Sequence, residues 1–236
     1  MKLKYKLYPE NISPLYVAIA TLFVCFLMIS NVIVNRLVII GGIVLTGDLF
    51  LFPITYIFGD ILTEVYGFER SRLVIWLGFA ANIIMALYFS FVIGLPYPAD
   101  FTNNSAFISV LGSTPLIVFA SITAYFLGEF TNSATLSVMK KVTRGKWLWT
   151  RTVGSTLVGQ MVDTLTFMLI VFHQLPANIL VQMIGVQYFF KVGYEILATP
   201  VTYLIVTKIK RYEKLDTFDY GIVYNPFSLK ISKLSR

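Results

Sequence analysis

The sequence has one cysteine and one histidine in 236 residues, and only 13% of its residues are charged. A single cysteine, Cys25, excludes an intrachain disulfide framework and a cysteine metal cluster. A single histidine, His173, removes the usual zinc sites, and neither H-E-x-x-H nor G-x-S-x-G occurs. No Walker A loop is present either. The residue inventory therefore points away from an enzyme and calls for no metal and no cofactor. Charge is scarce for a soluble domain, which carries about 25% charged and about 45–50% apolar residues. Here 57% are hydrophobic and mean hydropathy is +0.75.

The apolar residues fall in runs of about 20, the length of helix that crosses a roughly 30 Å hydrocarbon core. Six spans are expected, at 15–34, 49–66, 73–95, 115–139, 149–172 and 179–207. The fold class is all-α, a multi-pass membrane protein forming one transport domain at 15–207. A cytoplasmic N-terminus covers 1–14 and a cytoplasmic tail covers 208–236. The first run is too long for a signal-peptide core and no A-x-A-like site ends it, so it reads as an uncleaved span. The segment "RLVIIGGIVLTGD" has two β-prone runs about Gly41-Gly42, a short outer hairpin between the first two spans. The segment "PYPADFTNNSAFISVLGS" suggests a short interfacial helix.

The formal charge of +7 is a topology signal. Seventeen of the nineteen Lys and Arg lie at the N-terminus, in the 2–3 and 4–5 loops or in the tail, and only Arg36 lies on the other side. The positive-inside rule makes the crowded side cytoplasmic and places both termini there. No nucleic-acid partner is needed to explain the charge; the lipid bilayer is the expected surrounding.

Against this background several ionisable residues stand inside the spans, where each costs at least about 2.5–3.5 kcal/mol by insertion scales. Asp60 is 10 residues before Arg70, Glu129 is 11 before Lys140, Asp163 is 12 after Arg151 and Glu195 is 13 before Lys208. At about 1.5 Å per residue all four lie roughly 15–20 Å deep, near the midplane. Helical spacing puts Tyr56, Asp60 and Glu64 on one face, and Tyr125, Glu129, Asn132 and Ser133 on another. Thr156, Gln160 and Asp163 share a face of the fifth span, and Lys191 and Glu195 stand one turn apart in the sixth. The stretch "ITYIFGDILTE" is echoed by "ITAYFLGEFTN", each with Gly before the acid.

Carboxylates accept hydrogen bonds, and amides donate and accept them. The expected substrate site is therefore Asp60, Glu64, Tyr125, Glu129, Asn132, Gln160, Asp163, Lys191 and Glu195. This set suits a planar heterocycle rich in N–H donors, such as one with a guanine-like edge. Bland readings compete at some positions. Glu64 could snorkel at the inner interface, Lys191–Glu195 could be a structural ion pair, and Asn82 reads as an interhelical hydrogen bond. Ser155-x-x-x-Gly159 reads as close helix packing.

The motifs "FPITYIFGDILTEVYGFERSR" (52–72), "ASITAYFLGEFTNSATLSVMKKVTRGKWLWTRTVGSTLVGQMVDTLTF" (120–167) and "KVGYEILATPVTYLIVTKIKRYEKLD" (191–216), with the later "YNPF", resemble the queuosine precursor transporter family, also called the vitamin uptake transporter family. The resemblance covers almost the whole chain. It implies six transmembrane helices in a prokaryotic cytoplasmic membrane. It also implies import of 7-deazaguanine bases, either the 7-cyano and 7-aminomethyl precursors or queuine, for salvage into tRNA queuosine. Some members carry Gln and Asp where this chain has Glu129 and Asn132, which bears on which precursor is preferred. Two other classes stay open at this point. One is a substrate-binding subunit of an energy-coupling-factor importer, which would need a partner ATPase module. The other is a proton or cation channel. A homodimer is permitted by the sequence and not demanded.

Overall fold

The computed structural model describes residues 13–34, 36–40, 43–112, 115–171, 173, 176–219, 222 and 224–227. The N-terminal segment 1–12, the Gly41-Gly42 turn and the end of the tail lie outside the described residues. Among the described residues seven α-helices and one strand pair follow in order: α1 (Pro14–Ile33), β1 (Leu37–Ile40), β2 (Ile43–Thr46), α2 (Phe52–Ile61), α3 (Phe68–Ile93), α4 (Asn104–Leu111), α5 (Pro115–Val142), α6 (Leu148–Val171) and α7 (Ala177–Glu213). The strands pair antiparallel, with Leu37 opposite Thr46 and Ile40 opposite Ile43. Helix α4 falls in the segment read as interfacial and buries none of its residues.

Local chemistry sets the helix starts. Ser13 caps α1, its hydroxyl accepting from the backbone N–H groups of Leu15 (3.0 Å) and Tyr16 (3.3 Å), and Pro14 fills a first-turn position that needs no N–H partner. The same hydroxyl donates to Glu213 at the far end of α7, joining the first helix to the last. Between α2 and α3 the chain winds through five residues of wider π-type turn, Leu62–Tyr66, all buried. Gly67 ends that turn at φ 87°, a conformation that side chains with a Cβ resist. A methyl there would also lie 2.8 Å from Thr217 and 2.9 Å from Asp219.

Among the described residues, four helices are long and apolar enough to cross a membrane: α1, α3, α6 and the stretch Leu180–Glu213 of α7. Helix α5 has 28 residues, and α2 with its π-type continuation runs from residue 52 to 66. Helix α7 continues through Pro200 and six residues beyond position 207, turning only at left-handed Lys214.

Helices α5 and α6 form the tightest pair, and glycine makes this possible. A methyl on Gly159 would stand 2.7 Å from Asn132 Cβ and 3.1 Å from the Gly128 carbonyl oxygen. A methyl on Gly128 would stand 2.7 Å from Asp163 Cβ. Small residues allow this backbone approach where lipid offers no hydrophobic drive between helices. The apolar core lies among α1, the π-type turn and α3, around Phe23, Leu27, Leu62, Val65, Phe68 and Ile75.

A candidate substrate site at the helix crossings

Four helices bring their polar faces together. From α2 come Tyr56 and Asp60, from α5 Tyr125, Glu129 and Asn132, from α6 Thr156, Gln160 and Asp163, and from α7 Lys191 and Glu195. All except Lys191 are buried, and Asp60, Glu129 and Asn132 have no exposed surface. The Asn132 amide donates to Asp60 Oδ1 at 2.9 Å, across the α2–α5 interface. Lys191 Nζ donates to Asp163 Oδ2 at 2.8 Å, across the α6–α7 interface. Glu129 packs its carboxylate against the backbone of α2 at Gly59, where a methyl would overlap it. Asp60, Glu129 and Glu195 lie within electrostatic reach of one another, as do Glu129 and Asp163.

Most of the acceptors in this cluster are unpaired. Asp60 Oδ2, both oxygens of Glu129 and both of Glu195 are buried and take no hydrogen bond among the described residues, and the amide oxygens of Asn132 and Gln160 are in the same state. Buried polar groups are normally satisfied, because leaving one unmade costs about 1–3 kcal/mol and more for a charged group. Seven acceptor oxygens without a partner among the described residues therefore gather at one crossing, a set with the chemistry to accept from a donor-rich group. Four acids against one lysine also leave a formal excess of three negative charges, the sign that attracts a cation or a donor-rich edge.

Two positions depart from the residue spacing. Lys191 pairs with Asp163 on the neighbouring helix and not with Glu195 one turn along its own. Glu64 lies in the π-type turn, one turn nearer the basic loops, in a separate ion-pair cluster. Its Oε1 accepts from Arg151 Nη2 and from Lys210 Nζ, each at 2.6 Å. Lys140 Nζ donates to the Glu64 backbone carbonyl at 2.6 Å and to Asp216 at 2.6 Å, and Lys210 also reaches Asp216 at 2.9 Å. Five side chains from the π-type turn, α5, α6, α7 and the tail thus close this end of the bundle. Burial raises the Asp216 carboxyl, but bonds and charge from Lys140 and Lys210 outweigh it and hold the group below its ordinary range.

The tail completes that closure. Asp219 accepts from the Phe68 N–H at 3.1 Å and from the Ser137 hydroxyl. Burial pushes the Asp219 carboxyl up, further than these bonds bring it down. Arg72 donates to the Asn225 carbonyl (2.9 Å) and the Trp76 indole to the Pro226 carbonyl (2.7 Å). Sequence reasoning counted Lys140, Arg151 and Lys210 only as topology signals. Their roles as partners of Glu64 could not be read from spacing, since they lie 76, 87 and 146 residues away. Gly59 and Gly128 both stand in the Gly-acid echo of the sequence, but that echo did not say that another helix approaches each of them, which the packing shows.

A cavity of about 260 Å³ lies away from both clusters, between α1, α3, α4 and α5 toward the opposite end. None of the acids lines it. Asn31 and Asn82 do, the amide of Asn31 donating to Asn82 Oδ1 at 2.6 Å.

Comparison with known proteins identifies the family. A family described as "Putative vitamin uptake transporter" matches residues 46–205. The chain is 30% identical over 173 residues to the "Queuosine precursor transporter" of Escherichia coli K12, covering 71% of this chain and 75% of the relative. It is 23% identical over 176 residues to the "Probable queuosine precursor transporter" of Bacillus subtilis 168, covering 74% and 77%. No solved structure shows significant similarity. The matched region holds α2 to α6 and most of α7, with every residue of the acidic cluster, and it joins sequence motif to site geometry: the chain belongs to the vitamin uptake transporter family.

Proposed function

We propose that this protein imports queuosine precursors, 7-deazaguanine bases, across the bacterial cytoplasmic membrane, and binds them at the crossing of α2, α5, α6 and α7. The observation that carries the site is the set of seven unpaired acceptor oxygens on Asp60, Glu129, Asn132, Gln160 and Glu195. A 7-deazaguanine presents a ring N–H beside an exocyclic NH2, and a carboxylate can accept both at once. The names of the relatives support the same substrate class. Asp60 and Glu129 are the first choices for that edge, and Tyr56 and Tyr125 offer flat faces to a planar ring. Asp163, neutralised by Lys191, is assigned to orienting the site. Glu64 belongs to the inner closure in this reading.

In the proposed topology α1, α2 with its π-type continuation, α3, α5, α6 and α7 are the six spans. The basic loops and both termini face the cytoplasm, as the positive-inside rule assigns them. The ion pairs and the docked tail then seal the cytoplasmic end, which leaves the outer side as the route of access. Uptake of a labelled 7-deazaguanine precursor into proteoliposomes tests the reading. Asp60→Asn and Asp163→Asn are expected to insert normally and to lose uptake. Uptake at the parent rate by both variants rules the site out.

A further inference from the structure

The cavity between α1, α3, α4 and α5 is not absorbed by the acidic site. Its lining mixes Asn31, Asn82, Ser90 and Ser121 with Met85 and Phe119, all from the half of the molecule away from the basic loops. At about 260 Å³ it is just under the roughly 300–1,000 Å³ of pockets that hold drug-sized ligands, a size for a small ring system. Its polar floor is preorganised. Asn82 donates to the Gly78 carbonyl at 2.9 Å and accepts from Asn31 at 2.6 Å, which fixes both amides. An amide offers two N–H groups and two acceptor positions. These bonds use one N–H of each residue and one acceptor position of Asn82, so both keep capacity toward the cavity.

The floor leads to the acidic cluster. Gly78 lies one turn inward from Asn82 on α3. A methyl placed there would meet Leu27 at 3.1 Å, Phe23 at 3.5 Å and the Tyr125 hydroxyl at 3.7 Å. Tyr125 is buried with its hydroxyl unpaired, and Glu129 stands one turn further inward on the same helix. Asn82, the Tyr125 hydroxyl and Glu129 therefore form a descending series of polar groups through an otherwise apolar wall. Tyr125 packs against Phe23 with ring centroids 6.3 Å apart, beside Gly78 and outside the cavity lining.

We propose that this cavity is a second, outer binding station for the transported base, where Asn31 and Asn82 hold a planar ring by neutral hydrogen bonds before the acids take it. The inference rests on the transport reading above for the identity of the ligand. The station selects shape and mixed donor–acceptor edges, and charge is read only at the deeper site. The two layers divide the work chemically, because amides bind without demanding a counter-charge and buried carboxylates do not.

The test uses the full chain with Cys25→Ser, reconstituted in liposomes, and Ser121→Cys as a reporter inside the cavity. A charged methanethiosulfonate reagent applied from outside is expected to cut uptake by the Ser121→Cys protein at least tenfold. Saturating 7-aminomethyl-7-deazaguanine should slow the modification several-fold, and Ile84→Cys, an exposed α3 position outside the lining, should show neither effect. Asn82→Ser should raise the KM for uptake several-fold with kcat near the parent value. Uptake that survives modification of Ser121→Cys, or a modification rate unchanged by the base, overturns the station while leaving transport intact. Protection by the base in a protein that takes up none of it keeps the station and removes the transport reading. Neither protection nor uptake removes both.

Discussion

Glu64→Gln isolates the worth of the inner closure, because it removes a charge and almost no volume. In the parent, the wholly buried Glu64 carboxylate meets Arg151 (1% exposed) and Lys210 (19% exposed) at 2.6 Å each. Around it stand Lys140 and Asp216, so three cations face two anions. The substitution leaves three cations and one anion, and Arg151 loses its only ion-pair partner among the described residues. Removing one partner from a buried pair costs about 3–5 kcal/mol, chiefly from the uncompensated charge. The glutamine oxygen can still accept a bond and Lys210 keeps Asp216 at 2.9 Å, so the low end, about 3 kcal/mol, applies. For a chain of this length about 1 kcal/mol moves the midpoint by about 2–4 °C, so Glu64→Gln should lower Tm by about 6–12 °C. Thermal unfolding of the purified protein in detergent measures this, with exposed Asp100→Asn as a control expected within about 0.5 kcal/mol of the parent. Adding Arg151→Met should recover part of the loss, since the two changes share one interaction. A Glu64→Gln midpoint within about 2 °C of the parent refutes the reasoning.

Two glycine substitutions separate site from scaffold. Gly59→Ala pushes the end of the flexible Glu129 side chain, so the protein should fold with a near-parent Tm yet bind the base at least tenfold more weakly by calorimetry. Gly159→Ala presses on Asn132 Cβ and the Gly128 carbonyl, which are fixed, so overpacking should cost about 1–3 kcal/mol and lower Tm. The tail carries a pH signature. Asp219, raised by burial, stabilises docking when protonated, and that contribution is lost as pH rises through its folded value. Asp216, held low by Lys140 and Lys210, contributes above the ordinary carboxylate value of about 3.9 and is lost below it. Tail docking should therefore tighten as pH falls from neutral toward that value and loosen below it. Trp76 fluorescence reads this in a protein with Trp147→Phe and Trp149→Phe, because Trp76 bonds Pro226 and packs against Phe227. A flat profile, or loosening that begins near neutral pH, contradicts the assignment.

The depth of the acids was legible because it depends on one dimension. Counting residues from the basic flanks fixes height along a helix at 1.5 Å per residue, and that arithmetic grouped Asp60, Glu129, Asp163 and Glu195. Rotation about the helix was partly legible through the i, i+4 faces. Partners across helices were not. Lys191 had an acid one turn away on its own helix and another on a neighbour, and the packing of α6 against α7 selected Asp163. Glu64 shared a face with Asp60 by spacing, yet its height put its Oε1 against Arg151 and Lys210 at 2.6 Å each, while its Oε2 stays buried without a hydrogen bond among the described residues.

The sequence by itself determined a helical, lipid-embedded protein, the polar helix faces that carry its buried charges and, through long motifs, its family. Those properties follow from composition, local periodicity and residue order. Only the tertiary structure decided which carboxylates keep unpaired oxygens, that the tail returns from beyond Glu213 to the α3 start, and that a cavity lies between α1, α3, α4 and α5. Each of these depends on distances between residues dozens to hundreds of positions apart, set by how closely Gly128 and Gly159 let two helices approach and by which ion pairs the packed bundle can satisfy.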